Sequence, residues 1–106
     1  MSQYNPDYWV VVAITDPKGE SHRRVLAAWA GSYIYGSSWR MSSDIEKTEE
    51  FEDRYEFLNT SGSLYICRKN RYGMSGYSSG IFEHHKEAME KGAKMVVVEG
   101  YDPEKK

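Results

Sequence analysis

The stretch of this chain richest in residues suited to chemistry is NRYGMSGYSSG, residues 70–80. It holds three glycines, three serines, two tyrosines and an arginine. A helix-like pattern follows, and a helix N-terminus presents free amide hydrogens and partial positive charge to an anion. A phosphate loop needs Gly-Lys-Ser/Thr after its spaced glycines, and no lysine follows Gly73, Gly76 or Gly80. A dinucleotide fingerprint needs Gly-x-Gly, which is also absent. What remains is an anion site in which Arg68 and Arg71 supply charge and Ser75, Ser78 and Ser79 supply hydroxyls. Against it stands plain connection, in which Gly and Ser let the chain turn and cap the helix.

The other reactive residue types form no catalytic set. His84 and His85 are adjacent, so on a helix they point about 100° apart and cannot chelate as an i, i+4 pair. Cys67 is the single cysteine, which rules out an intrachain disulfide and a cysteine-rich zinc site. It sits in a strand-like run, where a buried thiol is inert. No metal, cofactor or nucleophile–base pair is expected. Residues 44–56 carry seven acidic side chains against two basic ones, a local charge of −5. Alternation places Glu46, Glu50, Glu52 and Glu56 on one solvated hairpin face. That face either guards an edge against aggregation or docks a basic partner.

Basic residues gather elsewhere, in His22-Arg23-Arg24 and in Arg68, Lys69 and Arg71. With a net charge of −2, that footprint is too thin to expect nucleic-acid binding. Aromatic residues are 14% of the chain, mainly nine tyrosines and three tryptophans. Trp29, Tyr33, Tyr35 and Trp39 crowd into eleven residues. Trp29 and Trp39 read as core, and Tyr33 and Tyr35 as turn residues. Aromatics beside an arginine are the types that dominate protein interfaces. The expected partner face therefore combines Tyr33, Tyr35, Trp39 and Arg40 with the loop tyrosines Tyr72 and Tyr77.

The elements that must hold these residues follow from periodicity. At 106 residues, 40% hydrophobic and 28% charged, the chain reads as one domain with frayed tails at 1–6 and 102–106. A chain of this length buries roughly 65% of its unfolded surface. No run of about eighteen apolar residues exists, so no membrane span is expected. The N-terminus lacks a basic-then-apolar leader, and the expected location is the cytoplasm.

YWVVVAIT (8–15) and SHRRVLAAWAG (21–31) are strands joined by the turn DPKG. Their apolar parts run through both parities, so both faces must be covered. WRMSSDIEK (39–47), FEDRYEFL (51–58) and SLYICRK (63–69) alternate as half-buried strands, with 48–50 as a hairpin loop. Residues 80–91 read as a helix whose stripe is Ile81, Phe82, His85 and Met89, capped by Ser78 or Ser79 and stopped at Gly92. AKMVVVEG (93–100) is the last strand, expected beside the first. The order β-β-β-β-β-α-β predicts an α+β fold, a bent antiparallel sheet of about six strands with one helix on a face. One helix cannot cover both faces, so the sheet either curls into a partial barrel or meets a second subunit as a homodimer.

VLAAWAGSYIYGSSWRMSSDI and YEFLNTSGSLYICRKNRYGMSGYSSGI, within residues 25–81, resemble small phage and prophage proteins of uncharacterised function. The shared pattern is W-x-G-x-Y, S-W-R-x-x-S, S-G-S-x-Y-x-C and Y-G-x-S. The resemblance carries no catalytic role onto Trp39, Arg40, Ser61, Gly62, Tyr65, Cys67 or Tyr72. It implies an accessory protein acting in a bacterial host's cytoplasm, where many such proteins inhibit a host enzyme or defence complex by binding it. The leading expectation is thus a non-enzymatic binder of a host protein or complex. The alternative is a binder or sponge for an anionic, nucleotide-like ligand.

Overall fold

The computed structural model describes residues 2–32, 36–74, 76–88 and 92–101. The fold is α+β, with eight strands in two sheets and one α-helix among the described residues. β2 (Tyr8–Thr15) and β3 (Ser21–Ser32) form the central hairpin, flanked by β4 (Gly36–Met41) and β8 (Lys94–Val97) in the order β4-β3-β2-β8. β5 (Ile45–Glu50), β6 (Arg54–Asn59) and β7 (Leu64–Arg68) form a second meander, and β1 (Gln3–Tyr4) completes the order β1-β7-β6-β5. The sheets are not closed into a barrel. As the sequence predicts, the last strand lies antiparallel beside the first long one, with Ile14 opposite Met95.

The central hairpin is apolar on both faces because it is the middle of three layers. One face contributes Trp9, Val11, Val25 and Ala27 to a core shared with Tyr55, Phe57, Tyr65 and Cys67 of the second sheet. The other contributes Val10, Val12 and Leu26 to a core with Met95 and Phe82 of α1 (Gly76–Ala88). The cover of the first face comes from within the chain, without barrel closure. It is the aromatic face of the hairpins that follow, whose alternation of buried and half-buried residues runs Tyr55, Phe57, Asn59 and Tyr65, Cys67.

Two sheets arise because the run expected as one strand, 39–47, is broken. β4 ends at Met41 and β5 begins at Ile45, with Ser42, Ser43 and Asp44 crossing between sheets. Ser42 fixes the crossing: its backbone N–H donates to the Val25 carbonyl (2.9 Å) and its Oγ accepts the Val25 N–H (2.8 Å). On the far side, Thr60 N–H donates to the Asp44 carbonyl at 2.9 Å. A register shift between Ile45 and Lys47 then turns the strand over. The hairpin loop lies at 51–53, after the expected 48–50, where Phe51 N–H closes on the Arg54 carbonyl.

Residues 3–4, expected to fray, are instead a strand. β1 pairs parallel with β7, and the Tyr4 ring stacks on Tyr65 at 4.9 Å. Residues 102–106 lie outside the described residues. The helix begins at Gly76, four residues before its expected start, so Ser78 and Ser79 are in its first turns and not caps. Burial decides this: Ser78 is 2% exposed and shares a stripe with Phe82 and His85, and packing outweighs the poor helix propensity of Gly and Ser. Gly92, with φ of 95°, has the left-handed conformation expected of a stop.

Candidate binding surface

Among the described residues, β4 is an edge strand, hydrogen-bonded to β3 alone in its sheet. An edge presents a row of unpaired backbone groups to any chain laid alongside. Trp39 and Arg40 lie in its second half, opposite Ala28 and Ala27. Neighbours along a strand point to opposite faces, and these two do. Trp39 faces the helix layer, its ring 4.9 Å from that of His85. Arg40 faces the sandwich, its guanidinium 4.7 Å from the Tyr4 ring centroid. Trp39 is no core residue: it is 37% exposed, whereas Trp9 is completely buried. Trp29 is half-buried and donates its indole N–H to the Asn5 carbonyl at 3.0 Å. Tyr33 and Tyr35 lie outside the described residues.

Within the segment 70–80, the stretch Tyr72 to Met74 is tied to the sheet and the cores. A 3-10 turn, Lys69–Arg71, leads to Tyr72 and Gly73. Gly73 N–H donates to the Trp9 carbonyl at 2.9 Å, with φ of 128°. The half-buried Tyr72 ring stands edge-on to Trp9 at 5.0 Å and packs against both cores. Tyr77 falls in the first turn of α1, its side chain outside the described residues.

The proposed anion ligands are not gathered. Arg68 has the parity of Leu64 and Ile66, on the outer face of the second sheet, with its guanidinium 3.6 Å from Asp53. α1 lies beyond the other sheet. Arg71 and Ser79 are exposed, Ser78 is buried, and Ser75 lies outside the described residues. A cavity of about 290 Å³ does open near the helix start, lined by Val10, Tyr72, Gly73, Met74, Val97, Glu99 and Gly100. Among these described residues the charged one is Glu99, a carboxylate, which repels an anion.

The acidic hairpin also reads differently in three dimensions. Glu50 pairs with inward-facing Tyr55, while Glu56 pairs with Glu49 on the outer face, so the expected single face is divided. Much of its charge is answered. Glu50 meets Lys69 at 2.7 Å, Glu56 meets Arg54 at 2.8 Å, and Glu49 meets Lys47 at 3.1 Å. Arg54 also holds Asp53 at 2.8 Å, which keeps that carboxyl below its ordinary range. Glu46, at the register shift, and Glu52, in the loop, are exposed.

Part of the basic footprint is paired as well, with Arg24 held by Asp44 at 2.8 Å, while Arg23 and Arg71 are exposed. Cys67 is fully buried, and burial pushes its thiol far above the ordinary range, opposite to what a nucleophile needs. Sequence reasoning missed the outer face of the second sheet, where half-buried Leu58 opposes Leu64 beside Ile66. The alternation that marks Tyr55 and Phe57 as inward drew attention away from it. No family model, curated protein or solved structure matches this chain.

Proposed function

We propose that this is a non-enzymatic binding protein that engages a protein partner along the β4 edge, with Trp39 as the anchor. The carrying observation is Trp39 itself, a large aromatic 37% exposed in the second half of an edge strand. Backbone pairing at such an edge gives affinity, and side chains on alternate faces give specificity. Exposed tryptophan and arginine are the types that carry interface energy, and Arg40 adjoins Trp39. The resemblance of residues 25–81 to small phage and prophage proteins supports a phage-encoded accessory protein, and its partner is then a host enzyme or defence complex. The inert setting of Cys67 supports a role in binding rather than catalysis.

The test is affinity purification from bacterial host lysate with the wild type, Trp39→Ala and Arg40→Ala. A partner retained by the wild type and reduced at least tenfold by Trp39→Ala is the expected result. Equal recovery by a Trp39→Ala protein of unchanged melting temperature refutes the assignment.

A further inference from the structure

The turn between β2 and β3 brings together three ligand types that sequence spacing did not single out. Asp16, Glu20 and His22 each place one potential ligand atom within 4.8 Å of the other two. The Oδ1 atom of Asp16 is committed to the turn, accepting the N–H groups of Lys18 (3.0 Å) and Glu20 (2.9 Å). Its Oδ2 lies 3.8 Å from His22 Nε2.

The opposite ring nitrogen is held from outside the turn. His22 Nδ1 is 2.8 Å from Asp44 Oδ2, and Asp44 accepts Arg24 Nε at 2.8 Å on its other oxygen. A carboxylate fixed in this way takes an N–H from the imidazole, so Nδ1 carries the proton. In the neutral ring the Nε2 lone pair then points toward Asp16 and Glu20. Two carboxylates and an imidazole nitrogen thus converge on one point, an arrangement a cation can bridge. A histidine whose second nitrogen donates to a carboxylate is the usual state of a metal-ligating imidazole.

We propose that Asp16, Glu20 and His22 bind one divalent transition ion of the zinc class, with Asp44 and Arg24 orienting the imidazole. The nitrogen donor selects zinc-like ions over calcium or magnesium, which prefer all-oxygen sets. Ligand bonds of about 2.1 Å at tetrahedral angles separate donor atoms by about 3.4 Å. The His22–Asp16 gap of 3.8 Å closes to that by small side-chain rotations. Three protein ligands leave a coordination position open to water or to a partner's side chain. The ion clamps the β2–β3 turn, through His22 and Asp44, to the crossing between the sheets.

The experiment titrates zinc into the untagged, chelator-stripped full chain by calorimetry and repeats it with cobalt, read by visible absorption. The wild type takes up one equivalent. His22→Gln abolishes uptake, and Asp16→Asn weakens it at least tenfold, since asparagine keeps the turn-forming oxygen but loses the charge. Asp44→Asn weakens it about 10- to 100-fold. The control His84→Gln/His85→Gln binds as the wild type does. Metal-free melting curves establish that each variant is folded, and Asp16→Asn decides the matter if His22→Gln unfolds. No stoichiometric uptake by the wild type, or uptake insensitive to Asp16→Asn, overturns the proposal.

Discussion

Trp9 and Arg68, fifty-nine residues apart, are joined by a hydrogen bond of 2.7 Å from the indole N–H to the backbone carbonyl. Trp9 belongs to β2 and Arg68 to β7, so this bond ties the two sheets at the end of β7. Trp9→Phe keeps an aromatic ring but leaves the carbonyl without its donor and a void beside it. The expected loss is about 2–4 kcal/mol. It is read as a lower urea midpoint at unchanged slope. A loss below about 0.5 kcal/mol, the range of neutral surface substitutions, would show that the bond is replaced by another.

Tyr72 and Trp39 should separate folding from binding. Tyr72 packs against both cores, and truncation to alanine is expected to cost about 2–3 kcal/mol. Trp39→Ala, at a partly exposed edge, should cost less than about 1 kcal/mol. Thermal melts of the two variants check the contrast, and a Trp39→Ala protein less stable than Tyr72→Ala reverses the roles given to these rings.

Acid should weaken the crossing between the sheets. Partial burial pushes the Asp44 carboxyl up, but hydrogen bonds from Arg24 and His22 outweigh it and leave its pKa below the ordinary 3.8. A carboxylate lowered in the folded state stabilises it above its unfolded pKa, and that contribution fades as pH falls through the lowered value. Wild type should therefore melt above Asp44→Asn at pH 7, with the gap closing below about pH 3.8. A gap that stays constant down to pH 2.5 would show that the charge of Asp44 is not the source.

Cys67 should behave as a core residue toward reagents. With its thiol fully buried and its pKa pushed up, labelling by a maleimide should track global unfolding. Measured against urea, the reaction should accelerate only near the unfolding midpoint. Rapid stoichiometric labelling of the native chain contradicts the packing described.

The sequence made the central hairpin legible because two faces of apolar residues admit few other readings. β2 runs over the residues predicted, and the buried parity of Tyr55, Phe57, Tyr65 and Cys67 follows from alternation. The division into two sheets was illegible for a local reason. Ser42, Ser43 and Asp44 are small and polar, as many exposed strand residues are, and only their bonds to Val25 and Thr60 mark them as a crossing. The register shift after Ile45 then divided the expected single face of the acidic hairpin. At the candidate surface, Trp39 and Arg40 were identifiable by type and their opposite faces by alternation, but the exposure of Trp39 depends on the place of β4 at the end of its sheet. Tyr72 looked like a displayed loop residue because its packing partner, Trp9, is distant in sequence. Asp16, Glu20 and His22 span a turn whose spacing matches no familiar metal pattern.

The two meanders are each finished by a strand from the far side of the chain. β1 joins the later meander and β8 the earlier one. During synthesis, β1 is waiting when β7 emerges, so the second sheet can assemble as soon as its hairpins are made. The first sheet must wait longer, since β2 has its final neighbour only after α1 and β8 have left the ribosome. Until then Val10, Val12 and Leu26 lack the Phe82 and Met95 that cover them. The nascent protein therefore carries an uncovered apolar face until α1 and β8 have emerged, a natural point for a chaperone to hold it.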